Sequence, residues 1–196
     1  MTAERSLPAV AALFVRANSI YKTMPAVDAW DAERDARTWP GGMPVVAHPP
    51  CRAWASLRHC AKPRPGEKDL AHFAINQVRK FGGVLEHPLR STLWPVAGLP
   101  DIGDRDKFGG WTLPIYQFWF GHRAQKATKL YIVGCDPVDI PSMPLRLGEA
   151  SHTVGLWSGR DRENCRPSIK KAEYEETPAE LAHWLVTLAQ RCAVQA

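Results

Sequence analysis

The order of apolar and polar segments along the chain predicts alternating short strands and helices. Apolar runs of strand length occupy residues 9–15, 44–47, 84–86 and 130–134, and residues 27–31 could form a further short strand that ends in an acid. Polar, proline-containing or glycine-containing segments bound these runs, as is typical of short buried strands. Periodicity alone does not distinguish strand from helix at residues 9–15, where the length of the run favours a strand.

Residues 67–81 carry the clearest helical pattern in the chain. Acidic residues occupy the first turn of this segment and basic residues the last, which matches the helix dipole. A pair of glycines follows and ends the helix. The apolar side chains that fall on one face are Leu70, Phe73, Ala74, Val78 and Phe81.

A second helix is predicted near the C-terminus. Thr177, Pro178 at the first helical position and Glu180 three residues after the cap predict a capping box. The predicted buried stripe consists of Leu181, Trp184, Leu185 and Leu188.

These elements predict one α/β domain over residues 1–196, with residues 135–196 as a short C-terminal extension that ends in a helix. Residues 45–86 form a strand–helix–strand unit, which we expect to be parallel. Residues 88–114 are rich in Pro, Gly and Trp and predict a long loop with short helical turns. The fold class is therefore α/β, with a mostly parallel sheet and helices on both of its faces.

Composition narrows the choice of partners only slightly. The chain is 45% hydrophobic and 23% charged, with a formal net charge of +5 and a pI of about 9.1. This balance permits an anionic partner such as nucleic acid or a nucleotide, and is equally consistent with a mildly basic enzyme. No apolar run is long enough to span a bilayer and no signal peptide is evident, so we expect a cytoplasmic location without membrane contact. The five cysteines form no Cys-x-x-Cys pair, which fits free thiols in a reducing compartment.

Two predicted strands each lead to a reactive side chain and are each stopped by proline. The strand at residues 44–47 ends at His48-Pro49-Pro50 and is followed by Cys51, whereas the strand at residues 84–86 ends in Glu86-His87-Pro88. Open α/β sheets place reactive groups beyond the carboxyl ends of their strands. We therefore expect Cys51 and Glu86 to meet at one site.

A thiol and a carboxyl group at one site suit addition chemistry on a pyrimidine. A thiolate adds to carbon 6 once the ring is polarised by a proton at nitrogen 3 and by donors at oxygen 2, and Cys51 supplies the nucleophile. Burial would raise the pKa of Glu86 so that it holds the proton. Arg123, Gln125 and Lys129 lie on the segment before the next strand and could donate to oxygen 2.

Each of these residues also has a plainer interpretation. Cys51 could be a small buried hydrophobe, and Arg123 and Lys129 could be solvated surface cations. His48, Cys51, His59 and Cys60 raise the alternative of a zinc site, although the adjacent second pair has poor ligand spacing. His87 could carry protons, bind phosphate or serve only in packing.

Five segments resemble, in order, the motifs of the C5-cytosine DNA methyltransferases. Phe14 ends a strand as in the family's opening motif, and the resembling second motif covers residues 28–32. Pro49-Pro50-Cys51 with Trp54 and Ser56 resembles the Pro-Cys nucleophile motif. Residues 84–88 resemble the Glu-Asn-Val motif, and residues 125–129 resemble the Gln-x-Arg-x-Arg segment before a strand. The chain is thus similar to a reduced, phage-type member of that family.

The resemblance implies a Rossmann-like methyltransferase-type sheet and a cytosine C5-modifying transferase that acts on DNA or a pyrimidine nucleotide. It implies S-adenosylmethionine, or another one-carbon donor, bound by Phe14, Trp30, Asp31 and Pro50. Ser56, Gln125 and His87 would contact the substrate, with Cys51, Glu86, Arg123 and Lys129 catalytic. A phage-encoded protein of this kind would act in the cytoplasm of the host cell.

The departures from the family pattern support a second hypothesis. Residues 15–20 replace the glycine-rich cofactor loop without a single glycine, Ala29 stands where the family has its ribose-binding acid, and Ala127 and Lys129 replace its arginine pair. Residues 135–196 are too few for the usual target-recognition domain. The alternative is a non-catalytic nucleic-acid-binding or host-countering phage protein on a decayed methyltransferase scaffold.

Overall fold

The computed structural model describes residues 8–56, 58–154 and 166–193. Within them the chain builds a six-stranded mixed sheet in the order β2-β1-β3-β4-β6-β5. The strands are β1 (Val10–Leu13), β2 (Val27–Trp30), β3 (Val45–Ala47), β4 (Gly83–Pro88), β5 (Trp111–Tyr116) and β6 (Ala127–Val133). The helices are α1 (Asp69–Phe81), α2 (Leu93–Val96), α3 (Lys171–Tyr174) and α4 (Ala179–Arg191).

Four neighbouring strands of the sheet are parallel and the other pairs are antiparallel. β1 pairs in parallel with β2 on one side and with β3 on the other, and β3 pairs in parallel with β4. β6 runs antiparallel to both β4 and β5. The prediction of an α/β fold with a mainly parallel sheet is confirmed for the first four strands, and the reversed β6 makes the whole sheet mixed.

Alternate residues of each strand face opposite sides of the sheet, and a long helix covers each side. On one side, Val46, Val84 and Leu130 pack with the buried stripe of α4. On the other side, Val45 and Leu85 pack with α1. The predicted α4 stripe is confirmed, since Leu181, Trp184, Leu185 and Leu188 are all buried.

The central strands lie close together because Gly83 begins β4. A Cβ atom on Gly83 would lie 2.0 Å from the carbonyl oxygen of Val45, its partner on β3, so any larger residue would push the two strands apart. This close approach holds in register the two strands that lead to Cys51 and carry Glu86.

Chain connections change direction between β1 and β3. From β1 the chain passes to its neighbour β2 at one edge, whereas from β3 it passes to β4 on the other side. The carboxyl ends of β1 and β3 therefore flank the crevice where ligands bind in open α/β sheets.

Two local predictions are wrong. The capping box at the start of α4 does not form: Pro178 is the N-cap without a side-chain cap, and Glu180 accepts a hydrogen bond from Arg146 at 2.7 Å instead. The loop predicted over residues 88–114 contains the helical turn α2 but also the start of β5. Among the described residues, no helix has the length and apolar character needed to cross a membrane.

Candidate active site

A cleft of about 890 Å³ opens at the carboxyl ends of β1, β3 and β4. Its walls come from the segments that follow β1, β2 and β3, from Arg64–Leu70 and from the segment around α3. Five residues predicted for the site line this cleft, namely Phe14, Asp31, Pro50, Cys51 and Glu86. The sheet thus brings the predicted nucleophile and carboxylate to one side of the fold, at its topological switch point.

Cys51 starts a tight turn just beyond β3. Its carbonyl oxygen accepts hydrogen bonds from the backbone N–H groups of Trp54 at 2.9 Å and Ala55 at 2.7 Å, which fix the residue on the cleft wall. The residue is exposed. The surrounding protein raises the pKa of its thiol by desolvation and the charge of Glu86 raises it further, while the charge of Lys126 opposes them. In this arrangement the protein favours the protonated thiol over the thiolate.

Glu86 is held by hydrogen bonds on both carboxylate oxygens. Its Oε2 lies 3.0 Å from Nδ1 of His48, and its Oε1 accepts from Nε2 of Gln117 at 3.2 Å. Burial alone would raise the pKa of Glu86, but the hydrogen bond and charge of His48, with the charge of Lys126, lower it to about 2. The prediction that Glu86 holds a proton by burial is wrong, because its neighbours favour the carboxylate.

The histidine that contacts Glu86 is His48, the first residue after β3. The Nε2 atom of His48 lies 2.9 Å from the hydroxyl of Tyr21, which is almost completely buried. His48 and Tyr21 both line the cleft. His48 entered the sequence analysis only as a candidate zinc ligand, because its partners Tyr21 and Glu86 are 27 and 38 positions away in the chain.

Lys126 is the cation that the sheet brings toward Cys51 and Glu86. Its Nζ donates to the backbone oxygen of Glu176 at 2.9 Å, and it lines the cleft just before β6 begins. Burial lowers the pKa of Lys126, while the charges of Glu86 and Cys51 raise it. This lysine therefore occupies the place that the sequence assigned to Arg123 and Lys129.

The register of β6 explains why Lys129 does not lie beside Glu86. Glu86 pairs with Leu130, so it shares a face with the even-numbered positions of β6, whereas Lys129 pairs with His87 and shares the opposite face. His87 is fully buried there against Trp94. The structure does not bring His87 or Lys129 to the cleft.

Four further predicted residues lie outside the cleft lining, namely Trp30, Ser56, Arg123 and Gln125. Arg123 forms an ion pair with Glu173 at 2.7 Å, and this pair fastens α3 to the segment before β6. Ser56 and Gln125 are exposed elsewhere on the surface.

Two residues predicted to hold the ribose and adenine of S-adenosylmethionine, Asp31 and Trp30, are engaged in other contacts. Asp31 is 2% exposed, and its oxygens accept hydrogen bonds from Lys22 and from the backbone N–H groups of Glu33 and Arg34. A ribose hydroxyl at this carboxylate would compete with these three donors. The guanidinium of Arg34 lies 3.9 Å from the centroid of the Trp30 ring and covers a face on which adenine would stack.

Backbone strain is concentrated around the cleft. Among the described residues, the non-glycine residues with positive φ are Phe14 at 61°, Asp35 at 48° and Lys126 at 39°. All three line the cleft. Left-handed conformations cost energy for such residues and cluster at functional sites. Their presence here supports this cleft as the functional site.

The zinc alternative finds no ligand cluster in the described residues. Residues 8–56, 58–154 and 166–193 contain no group of three or more His, Cys, Asp or Glu side chains placed to hold a metal ion. His48, the first member of the alternative ligand set, contacts Tyr21 and Glu86 through its two ring nitrogens.

Comparisons with known proteins returned nothing: neither a protein-family model, nor a curated protein, nor a solved structure matches this chain.

Proposed function

We propose that the protein is a transferase that modifies carbon 5 of a pyrimidine, in DNA or in a nucleotide, through a covalent adduct with Cys51. One observation carries the proposal: Cys51, Glu86 and Lys126 line one cleft at the switch point of an α/β sheet. A methyltransferase-type fold is part of the same proposal, and the position of the cleft supports it.

The cleft residues have complementary parts in this chemistry. The Cys51 thiol releases its proton to solvent, its sulfur bonds to carbon 6, and the electron pair of the C5–C6 double bond moves into the ring. Lys126 supplies positive charge where negative charge develops. Carbon 5 then bonds to a one-carbon electrophile, whose leaving group departs with its bonding electrons. The proton on carbon 5 passes to solvent, its electron pair re-forms the C5–C6 double bond, and the sulfur leaves carbon 6 as a thiolate. Glu86 faces the ring and binds its nitrogen edge.

The proposal requires a one-carbon electrophile but names no particular donor. Because Asp31 and Trp30 are already engaged, we derive no step through S-adenosylmethionine. If the pyrimidine belongs to DNA, the base must be single-stranded or flipped out of the duplex to reach Cys51.

Exchange of the hydrogen on carbon 5 tests the proposal without any donor. Addition of Cys51, uptake of a deuteron at carbon 5 and loss of the original proton replace this hydrogen in D₂O. We expect exchange, followed by NMR, in single-stranded oligodeoxynucleotides or in deoxycytidine and deoxyuridine monophosphates. Cys51→Ala should abolish the exchange, and Cys60→Ala, which removes another exposed thiol, should leave it unchanged. Absence of exchange with all of these substrates would refute the adduct.

A second function is favoured by the engaged donor site and by the raised pKa of the Cys51 thiol. On this hypothesis the protein binds nucleic acid without modifying it, as a host-countering protein would. It predicts that wild type and Cys51→Ser bind a fluorescent oligonucleotide equally well in anisotropy measurements, and that neither catalyses exchange at carbon 5.

A further inference from the structure

We propose that His48 is a positioning residue that supplies, through Glu86, the proton that a cytosine ring takes at nitrogen 3 when Cys51 adds to carbon 6. This inference rests on the proposed function and assigns the proton source that the site otherwise lacks. A carboxylate held by donors on both oxygens has no proton of its own to give.

The hydrogen bonds around Gln117 show that its amide nitrogen donates to Glu86. The Thr128 hydroxyl donates to the backbone oxygen of Lys126 at 3.2 Å, so it accepts from Nε2 of Gln117 at 3.1 Å. The same amide nitrogen donates to Oε1 of Glu86. Gln117 is therefore oriented as a donor toward Glu86, and Oε1 of Glu86 is an acceptor.

The other oxygen of Glu86 faces the histidine. Oε2 accepts from Nδ1–H of His48 at 3.0 Å, which leaves Nε2 of His48 to Tyr21. Within this pair, the proton that lies closest to the carboxylate is the one on Nδ1. The side chains of His48 and Glu86 are only 12% and 15% exposed, so water competes weakly for that proton.

Tyr21 allows His48 to change its protonation state without losing a partner. A hydroxyl can donate to Nε2 of a neutral imidazole and accept from Nε2–H of an imidazolium. Burial, aided by the charge of Glu86, raises the pKa of Tyr21, so the hydroxyl keeps its own proton. Neither ring nitrogen of His48 is left unpaired in either state.

Each proton in the proposed transfer has a donor and an acceptor. The step uses the imidazolium form of His48, which gives its Nδ1 proton to Glu86, and Glu86 passes a proton to nitrogen 3 as the S–C6 bond forms. When the S–C6 bond breaks, nitrogen 3 returns the proton to Glu86 and His48. The protons gained and lost by the ring nitrogen thus belong to the His48–Glu86 pair, whose titration is a property of both residues.

Other charged groups face this pair. Lys126 and His87 act on Glu86, and Cys51 lies in the same cleft. On the far wall of the cleft, Glu175 and Glu176 belong to the segment after α3. None of these groups forms a hydrogen bond to Glu86 among the described contacts, so His48 is the acidic partner in direct contact.

Titration of the Glu86 carboxyl by ¹³C NMR in the ligand-free, full-length protein tests the coupling. The signal is assigned with Glu86→Gln. We expect the titration midpoint to rise by about one pH unit or more in His48→Asn. His183→Asn, which removes an exposed histidine outside the cleft, should leave it unchanged. Tyr21→Phe, which keeps the imidazole, should shift the midpoint less and serves if His48→Asn does not fold.

The pH profile of carbon-5 exchange in cytosine tests the proton supply. In the wild type the rate should fall as pH rises through the titration of the His48–Glu86 pair, and in His48→Asn that limb should move to the new Glu86 midpoint. A slower reaction with an unmoved limb would overturn the proposal, as would an unmoved Glu86 midpoint in both His48→Asn and Tyr21→Phe. Absence of wild-type exchange would refute the proposed function, while the NMR titration would still decide the coupling.

Discussion

Lys129 lies directly opposite His87 in the antiparallel pair β4–β6, and both side chains contact Trp94 on the sheet face away from Glu86. The ammonium of Lys129 is 5.4 Å from the centroid of the Trp94 ring. Three residues earlier, Lys126 lies in the cleft. Two lysines on one segment thus serve opposite faces of the sheet, which makes them a matched pair for mutagenesis.

We expect Lys126→Met to slow carbon-5 exchange by about 10²-fold, the cost of removing one charge-stabilising donor from an active site. Lys129→Met should leave the rate within about twofold, since its cation–π contact lies on the other face. The measurement is the exchange rate at saturating substrate, with circular dichroism to confirm folding. Equal losses in the two variants would contradict the assignment of Lys126.

The pair of Gly83 and Gly42 tests the close packing of the central strands. Both have positive φ, but a Cβ atom meets the backbone of Val45 at Gly83 and no atom within 4 Å at Gly42. Gly83→Ala should therefore cost about 3 kcal/mol or more, or prevent folding. Gly42→Ala should cost only the left-handed backbone penalty of about 1–2 kcal/mol.

Chemical denaturation of both glycine variants measures these costs. A Gly83→Ala protein as stable as Gly42→Ala would mean that β3 and β4 separate without penalty. The positions of Cys51 and Glu86 would then not depend on this contact.

Strand positions and the two reactive side chains were predictable because their signals are local. Apolar runs stopped by proline marked the ends of β3 and β4 and so located Cys51 and Glu86. By contrast, β5 (Trp111–Tyr116) was missed, because the richness of residues 88–114 in Pro, Gly and Trp predicted a loop; the sheet accommodates Pro114 because β5 is an edge strand.

Local sequence patterns could not predict the partners of His48 or the position of Lys126 in the cleft. They depend on which strands pair and in which register, and the reversed direction of β6 has no signature in its own apolar run. Only the period-two alternation carried usable information. Once β4 and β6 are paired through Glu86 and Leu130, it places Lys129 on the sheet face opposite to Glu86.

Lys22 and Asp31 provide a test of stability. Asp31 is nearly inaccessible, and its hydrogen bond to Lys22, followed by that from the Arg34 backbone, lowers its pKa to about 2. Lys22→Met would leave this carboxylate without its charged partner. We expect a loss of about 1–3 kcal/mol at neutral pH.

The sign of the pH effect follows from a lowered pKa in the folded state. The stabilising contribution of Asp31 is complete above its ordinary value of 3.8 and is lost as the pH falls toward about 2. The gap between wild type and Lys22→Met should therefore close over this range in urea denaturation. A gap that is independent of pH would show that Lys22 acts through packing instead.

His87 offers a last prediction, because its buried ring has no hydrogen-bond partner at either nitrogen among the described residues. Burial lowers its pKa to about 4, so the folded protein keeps it neutral while the unfolded chain binds a proton below about 6.5. Stability is therefore fully present above that value and falls as the pH drops toward 4. Between pH 6.5 and pH 5 the free energy of unfolding should fall by about 2 kcal/mol.

His87→Leu should remove this pH dependence. At pH 7 the variant should be as stable as the wild type or slightly more stable, since no hydrogen bond is lost. Urea denaturation of both proteins at pH 7 and pH 5 measures the difference, with exposed His183→Leu as the control. An unchanged pH dependence in His87→Leu would place the titrating group elsewhere.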